Sequence, residues 1–450
     1  MSASTDTIVA LASANGQAGV GVIRLSGENS LLITQAVTGK PCERDRHAHM
    51  RSFFDPDGQV LDSGLVLPFF APASYTGETV VEWQTHGAPI VLDQLIATAI
   101  HHGARFARPG EFTERAFLNG KLDLTQAEAV ADLIAASNLA SARGAMQSLS
   151  GAFSERIEAF EQELIALRVF VEATIDFPDE DVEFLETAQV KARIHAVLNE
   201  LVELRAITNQ GVLLRDGIRV VIAGPPNAGK SSLLNALSGS DTAIVTNIPG
   251  TTRDVIRENV QFNGLPLTLL DTAGLRDTDD PVEKIGTARA EEAIKTADVI
   301  LWVEDDSLNN SIERPVSIAQ ATQPVIHIRN KTDLSHGENG IRSGTTGITQ
   351  QLGLSIRTGA GFEALRKVLV DRAGYVPNET QFVARRRHLV ALDHAEAQIQ
   401  NALSFLDDVP DTVLIAEELR IAHDYLGEIT GKFTTEDLLG AIFSSFCIGK

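Results

Sequence analysis

Residues 224–231 read Gly-Pro-Pro-Asn-Ala-Gly-Lys-Ser, and few strings of eight residues restrict a fold as strongly. The apolar run Ile218 to Ala223 precedes them, and Leu233, Leu234 and Leu237 follow at helical spacing. Strand, glycine loop and helix in that order close backbone N–H groups around phosphate oxygens, with the positive end of the helix behind them. Lys230 is predicted to reach the β- and γ-phosphates and Ser231 to offer its hydroxyl to Mg²⁺. Asn227, Ala228, Gly229 and Ser232 complete the stretch expected to contact nucleotide.

Three later segments turn nucleotide into guanine nucleotide. Asp271-Thr272-Ala273-Gly274 follows the apolar run Leu267 to Leu270. A carboxylate at a strand end suits the Mg²⁺ shell, and the N–H of Gly274 suits a γ-phosphate. Asn330-Lys331-Thr332-Asp333 follows the strand pattern Pro324 to Ile328. The Asp333 carboxylate can accept from guanine N1–H and the 2-amino group, and adenine offers neither donor. Ser355-Ile356-Arg357 ends a further strand and is placed to close over the base.

Composition narrows the class. The chain has 450 residues, enough for two to four domains, and 44% of them are hydrophobic. Two cysteines, Cys42 and Cys447, do not make a disulfide framework. No basic-then-apolar leader and no membrane-length apolar run occur, so the expectation is a soluble cytoplasmic protein with no membrane partner. A net charge of −22 disfavours broad nucleic-acid contact, so an RNA partner needs a local basic patch or a second protein. The acidic run Asp176 to Glu183 reads as a solvated helix boundary around Pro178.

The fold class expected is α/β plus α, in four stretches. Residues 1–120 mix short strands such as Val20 to Leu25 with helices such as Ile90 to Ile100. Residues 121–215 turn helical, opening on a capping box formed by Thr125 and Glu128. Ile157, Phe160, Leu164, Leu167 and Val171 recur at threes and fours, as do Val190, Ile194, Val197, Leu201 and Leu204. Residues 216–375 alternate strands and helices, and 376–450 return to helical periodicity. The simplest architecture inserts a P-loop domain into a helical bundle.

The four nucleotide segments resemble a translation-factor-class GTPase. Pro249 to Asp254 in the first switch, and Leu275 where Ras-like enzymes carry glutamine, match the TrmE–Era–EngA branch. Two further stretches, Arg108 to Ala129 and the terminal Cys447-Ile448-Gly449-Lys450, are similar to the MnmE/TrmE family of tRNA-modification GTPases, and the likeness runs end to end. The resemblance implies an N-terminal tetrahydrofolate-binding and dimerisation domain, hence a homodimer. It implies a partnership with an MnmG-type flavoprotein carrying FAD, in a heterotetramer or larger complex. With a one-carbon unit from 5-formyl- or 5,10-methylene-tetrahydrofolate, the pair modifies C5 of the wobble uridine of certain tRNAs.

The same resemblance assigns folate contacts to Arg24, Glu82, Lys121 and Lys450. It assigns K⁺ contacts to Asn227, Thr246, Ile248 and Thr251, and Mg²⁺ contacts to Ser231 and Thr252. Spacing alone does not separate the roles of Thr251 and Thr252. Glu283 matches the family's water-orienting glutamate, which replaces the missing glutamine in activating GTP hydrolysis. Ile356 departs from the usual alanine, where a backbone N–H serves regardless of side chain. Cys447 is read two ways, as a participant in the one-carbon chemistry or as a buried thiol beside Phe443 and Phe446. The rival class is an Era-like GTP-switched RNA or ribosome-assembly factor, which lacks both flanking stretches.

Overall fold

The structure is a computed structural model and describes residues 6–176, 183–238, 257–262, 265–271, 293–308, 318, 322–342, 350–376, 381–408, 412–433 and 435–449. It divides into two compact units, one formed by residues 1–131, 149–198 and 391–450, the other by 132–148 and 199–390.

The first unit contains a six-stranded sheet in the order β3-β4-β5-β2-β1-β6. Its strands are β1 (Thr7–Leu11), β2 (Ala18–Ser26), β3 (His49–Phe54), β4 (Val60–Phe69), β5 (Val80–Gly87) and β6 (Ala104–Phe106). All neighbours are antiparallel except β1 and β6. Alternation along β2 explains the sheet's two faces: Gly21, Ile23 and Leu25 are buried, while Val22 and Arg24 are half-buried on the other side. Helices α1 (Ser30–Thr38) and α2 (Pro89–His101) cover the buried face, where Phe53, Trp83 and Leu95 are sealed from solvent. The indole N–H of Trp83 donates to Thr34 Oγ1 at 3.0 Å, so the largest core side chain has no orphaned polar atom.

Helix α3 (Glu111–Leu118) follows, then α4 (Leu124–Ala135), α5 (Leu139–Leu149), α6 (Ala152–Asp176) and α7 (Glu183–Asp216). The predicted stripes on α6 and α7 are all buried, from Ile157 to Val171 and from Val190 to Leu204. Residues 177–182 of the acidic run lie outside the described residues; α6 ends at Asp176 and α7 begins at Glu183. The cap of α4 differs from expectation. Asp123 Oδ1 accepts from the Gln126 N–H, and Gln126 Oε1 accepts from the Asp123 N–H, so the reciprocal box is Asp123 and Gln126. Thr125 already lies inside the helix, and its hydroxyl bonds Asp123 and Ser154.

Helices from both sides of the inserted stretch meet within the first unit. Lys432, just beyond α12 (Thr412–Thr430), pairs with the buried Glu161 of α6 at 2.5 Å. Leu124 and Ala127 of α4 pack with Ile442, Phe443 and Phe446, the first two from α13 (Glu436–Ser444).

The second unit holds a seven-stranded sheet, β12-β13-β11-β10-β7-β9-β8, with parallel pairing from β13 through β9 and antiparallel strands at both edges. Its strands are β7 (Ile218–Ala223), β8 (Arg257–Phe262), β9 (Leu265–Asp271), β10 (Val299–Asp305), β11 (Val325–Asn330), β12 (Gly340–Arg342) and β13 (Gln350–Gly353). Central strands β7 and β10 are buried almost continuously, the pattern of a parallel strand covered on both faces. Helices α8 (Lys230–Ser238) and α9 (Thr332–Ser335) lie between strands, and α10 (Phe362–Ala373) follows β13. Helix α5 also belongs to this unit: Ala145 is in its core, Ser141 Oγ donates to the Leu214 carbonyl, and Ser148 Oγ donates to that of Val383. Helix α11 (Arg386–Asp408) begins in this unit, and its residues from 391 onward belong to the first.

Candidate nucleotide site and N-terminal charge cluster

The glycine loop leaves the end of β7 under tight steric control. At Gly224, φ is 151° and an added Cβ meets the Val303 carbonyl oxygen at 2.1 Å, so no larger residue fits. Asn227 adopts a left-handed φ of 62° on the exposed rim. Gly229 has φ 99°, and its absent Cβ is what lets the Asn330 amide approach. The Leu233 N–H donates to the Gly229 carbonyl at 2.8 Å, starting α8 at the loop's exit. Lys230 Nζ donates to the carbonyls of Gly224 (2.9 Å) and Pro225 (3.0 Å), which curls the ammonium back over the loop. Ser231 and Ser232 are exposed in the first turn.

Asn330 joins the loop to the segments expected to read the base. Its Nδ2 donates to the Ala228 carbonyl at 2.8 Å, and its Oδ1 accepts from the Ile356 N–H at 3.3 Å. A single buried amide therefore ties three segments together. Lys331, at φ 66°, donates to the Asn227 carbonyl at 3.0 Å and to Asp305 Oδ2 at 2.6 Å. Burial pushes the Asp305 carboxyl up, but hydrogen bonds from Lys331 and Ser307 outweigh it and hold the group below the usual carboxylate range. Ser355 Oγ donates to Asp333 Oδ1 at 2.7 Å, and the exposed Arg357 guanidinium stands 3.8 Å from Oδ2. Asp333 is thus oriented by a hydroxyl on the loop predicted to close over guanine.

Asp271 ends β9 opposite Ile222 of β7, beside the strand that launches the glycine loop; its side chain lies outside the described residues. Thr246, Ile248, Thr251, Thr252, Thr272, Ala273, Gly274, Glu283 and Lys450 also lie outside them. Sequence reasoning missed the partner of Lys331. The signal was present as an acidic triplet, Glu304-Asp305-Asp306, at the end of the apolar strand β10.

In the first unit, Arg24 and Glu82 are directly opposed across β2 and β5 and pair at 2.9 Å. The Arg24 guanidinium also lies 5.5 Å from the Tyr75 ring and 5.8 Å from that of Phe112. Lys121 Nζ donates to the Pro72 carbonyl at 3.1 Å, on the same loop as Tyr75. Beneath this loop, the buried Arg115 bonds Asp6, Glu78 and Glu111, and Glu111 also receives Arg105. Desolvation opposes the charge on Glu111, yet these guanidiniums keep its carboxyl below its usual range.

The C-terminal stretch docks on the same unit. The Gly110 N–H donates to the Cys447 carbonyl at 3.3 Å. Gly110 has φ 69° and a Cβ there meets the Phe443 carbonyl oxygen at 2.6 Å. Gly449 has φ 97° and sits so close to Leu11 that a Cβ meets its carbonyl oxygen at 2.0 Å. The Cys447 thiol is exposed, which corrects the reading of it as a buried thiol: Phe443 and Phe446 turn inward and leave the cysteine outside.

A parallel sheet whose central strand ends in this glycine loop, with an Asn-Lys-x-Asp loop hydrogen-bonded to it, defines a P-loop protein of the guanine-nucleotide class. Residues 7–121 match the family description "GTP-binding protein TrmE N-terminus", and residues 124–447 match "MnmE helical domain". A curated protein of Pseudomonas aeruginosa named tRNA modification GTPase MnmE is 51% identical over 457 residues, covering 100% of both chains. Proteins of the same name from Methylococcus capsulatus (50% over 446 residues, 99% of each chain) and Legionella pneumophila (49% over 456 residues, 99% of this chain and 100% of that one) are similar to comparable degrees. The chain belongs to the MnmE/TrmE family.

Proposed function

We propose that the protein is a potassium-stimulated GTP hydrolase that acts in modifying C5 of the wobble uridine of certain tRNAs. The observation that carries the guanine assignment is the Asn330 amide, which braces the Asp333 loop and the Ile356 backbone against the phosphate loop. Asp333, steadied by Ser355, offers two carboxylate oxygens to the two donors on the guanine edge. The tRNA assignment rests on family membership and on the names of the relatives.

Ser231 in the first turn of α8 has the hard oxygen that Mg²⁺ takes, with Thr252 as the second hydroxyl. Asn227, on the exposed rim with a left-handed backbone, suits K⁺ through its side-chain oxygen, with Thr246, Ile248 and Thr251 completing the donor set. These cations neutralise charge on the transferring phosphoryl group. Lys230 adds a fixed positive charge at the loop, and Glu283 orients the attacking water.

The Arg24 guanidinium against Tyr75 and Phe112, with Glu82 and Lys121 nearby, suits an aromatic, anionic ligand, here a tetrahydrofolate derivative. That ligand supplies the one-carbon unit; Lys450 is assigned to it as a further contact, and Cys447 is exposed. We assign residues 1–120 to this function and to homodimer formation, 216–375 to GTP, and 121–215 with 376–450 to the helical domain. The partner is an MnmG-type flavoprotein carrying FAD, and the setting is cytoplasmic. Among the described residues, no helix is long and apolar enough to cross a membrane.

GTP turnover by the purified protein tests the hydrolytic part. Turnover is expected to be much faster in K⁺ than in Na⁺ at equal ionic strength, and Glu283→Ala is expected to slow it with GTP affinity nearly intact. Equal rates in both salts would remove the potassium assignment. Collapse of GTP binding in Glu283→Ala would make that residue structural.

A further inference from the structure

Behind the base-reading loop lies a second polar cluster that the proposed chemistry does not use. Its centre is Asp306, just past the end of β10. Arg342 of β12 donates to both of its oxygens, Nη1 to Oδ1 at 3.0 Å and Nη2 to Oδ2 at 2.9 Å. Arg329 Nε donates to Oδ1 at 2.9 Å, and Ser335 Oγ donates to Oδ2 at 2.6 Å. The backbone N–H of Asp306 donates to the Asn330 carbonyl at 2.7 Å. Glu304 extends the cluster, accepting from Arg329 Nη1 at 2.7 Å and from the Trp302 indole at 2.8 Å.

These partners bracket the Asn330–Asp333 loop. Arg329 immediately precedes Asn330. Ser335 ends α9, the single turn that carries Asp333. Arg342 lies on β12, which pairs with β13, the strand leading to Ser355. Packing is close as well: a Cβ at Gly337 meets Asp306 Oδ2 at 2.4 Å. The hydrogen bond from Arg342, against the opposing cost of burial and with Ser335 and Arg329 adding to it, holds the Asp306 carboxyl well below the usual range, so it stays an acceptor.

We infer that Asp306 is a positioning residue for guanine recognition, fixing the backbone on both sides of Asn330 and Asp333 so that the Asp333 carboxylate meets the base edge at hydrogen-bonding distance. The inference rests on the guanine reading given above. A four-residue loop with one turn of helix has little stability of its own, so its geometry is set by what it is tied to. Asp306 is tied to three separate segments, whereas Asp305 beside it serves Lys331 alone among the loop's side chains.

Competition against a fluorescent GDP analogue by unlabelled GDP, inosine diphosphate and ADP tests this. Inosine lacks the 2-amino group, so the GDP-to-inosine ratio reports how well Asp333 meets that donor. Asp306→Asn is expected to lower the ratio about tenfold, the worth of a charge-assisted hydrogen bond. Ser335→Ala, a milder loss of one donor, is expected to move it the same way by a smaller factor, and Asp306→Glu to recover part of it. A purely structural role would weaken both nucleotides together and leave the ratio alone. A folded Asp306→Asn with the wild-type ratio would overturn the inference; if that variant does not fold, an unchanged ratio in Ser335→Ala overturns it. A wild-type protein that binds ADP as well as GDP would refute the guanine reading itself, and the positioning role with it.

Discussion

Asn330 joins the phosphate loop to the Ile356 backbone through two hydrogen bonds, and the guanine selectivity proposed for the site is assigned to Asp333, which Ser355 orients. Asp333→Asn exchanges an acceptor-only carboxylate for an amide with a donor. GTP binding is expected to weaken by about tenfold or more, and xanthosine triphosphate, whose 2-oxo group accepts that donor, to be used better. An unchanged GTP preference, measured by competition, would contradict the assignment. Acid should expose the neighbouring carboxylates. Asp305 and Asp306 titrate lower in the fold than at the unfolded value of about 3.9. Their stabilisation is therefore present above that value and is lost as pH falls through the folded one. The melting midpoint of the wild type is expected to fall more steeply than that of Asp306→Asn below about pH 4. Parallel curves would show that Asp306 is not held low.

Helix caps and glycine contacts set the larger pieces. Asp123→Ala removes the acceptor that starts α4, and a loss of about 1 kcal/mol is expected by chemical denaturation. Thr125→Ala tests the alternative, and a loss confined to it would restore the cap to that residue. The long helices α6 and α7 were legible because their apolar residues repeat at threes and fours, a local signal. The cap was misplaced by two residues because Asp-x-x-Gln and Thr-x-x-Glu overlap here, and only the hydrogen-bond partners distinguish them. The bridge from Asn330 to Ala228 spans 102 positions and depends on strand order, which no local pattern carries. The tail was legible as a motif but not as a docked element. Gly449→Ala forces a Cβ against the Leu11 carbonyl and is expected to loosen the tail, abolishing wobble-uridine modification while GTP turnover persists. Loss of both activities would indicate a folding defect instead.

At the scale of the whole chain, labour is proposed to divide between the inserted nucleotide-binding stretch and an N-terminal unit whose helices pack with the last one. Family membership spans nearly the full length, so both parts are expected to serve one outcome in the cell. The decisive measurement is the modified-nucleoside content of tRNA from cells lacking the protein, with the gene restored as wild type or as Lys230→Ala. Lys230 is the cation folded over the phosphate loop, so its removal tests whether nucleotide chemistry is required. The modified wobble uridine is expected to disappear without the protein, to return with the wild type and not to return with Lys230→Ala. An unchanged nucleoside profile in the cells lacking the protein would contradict it.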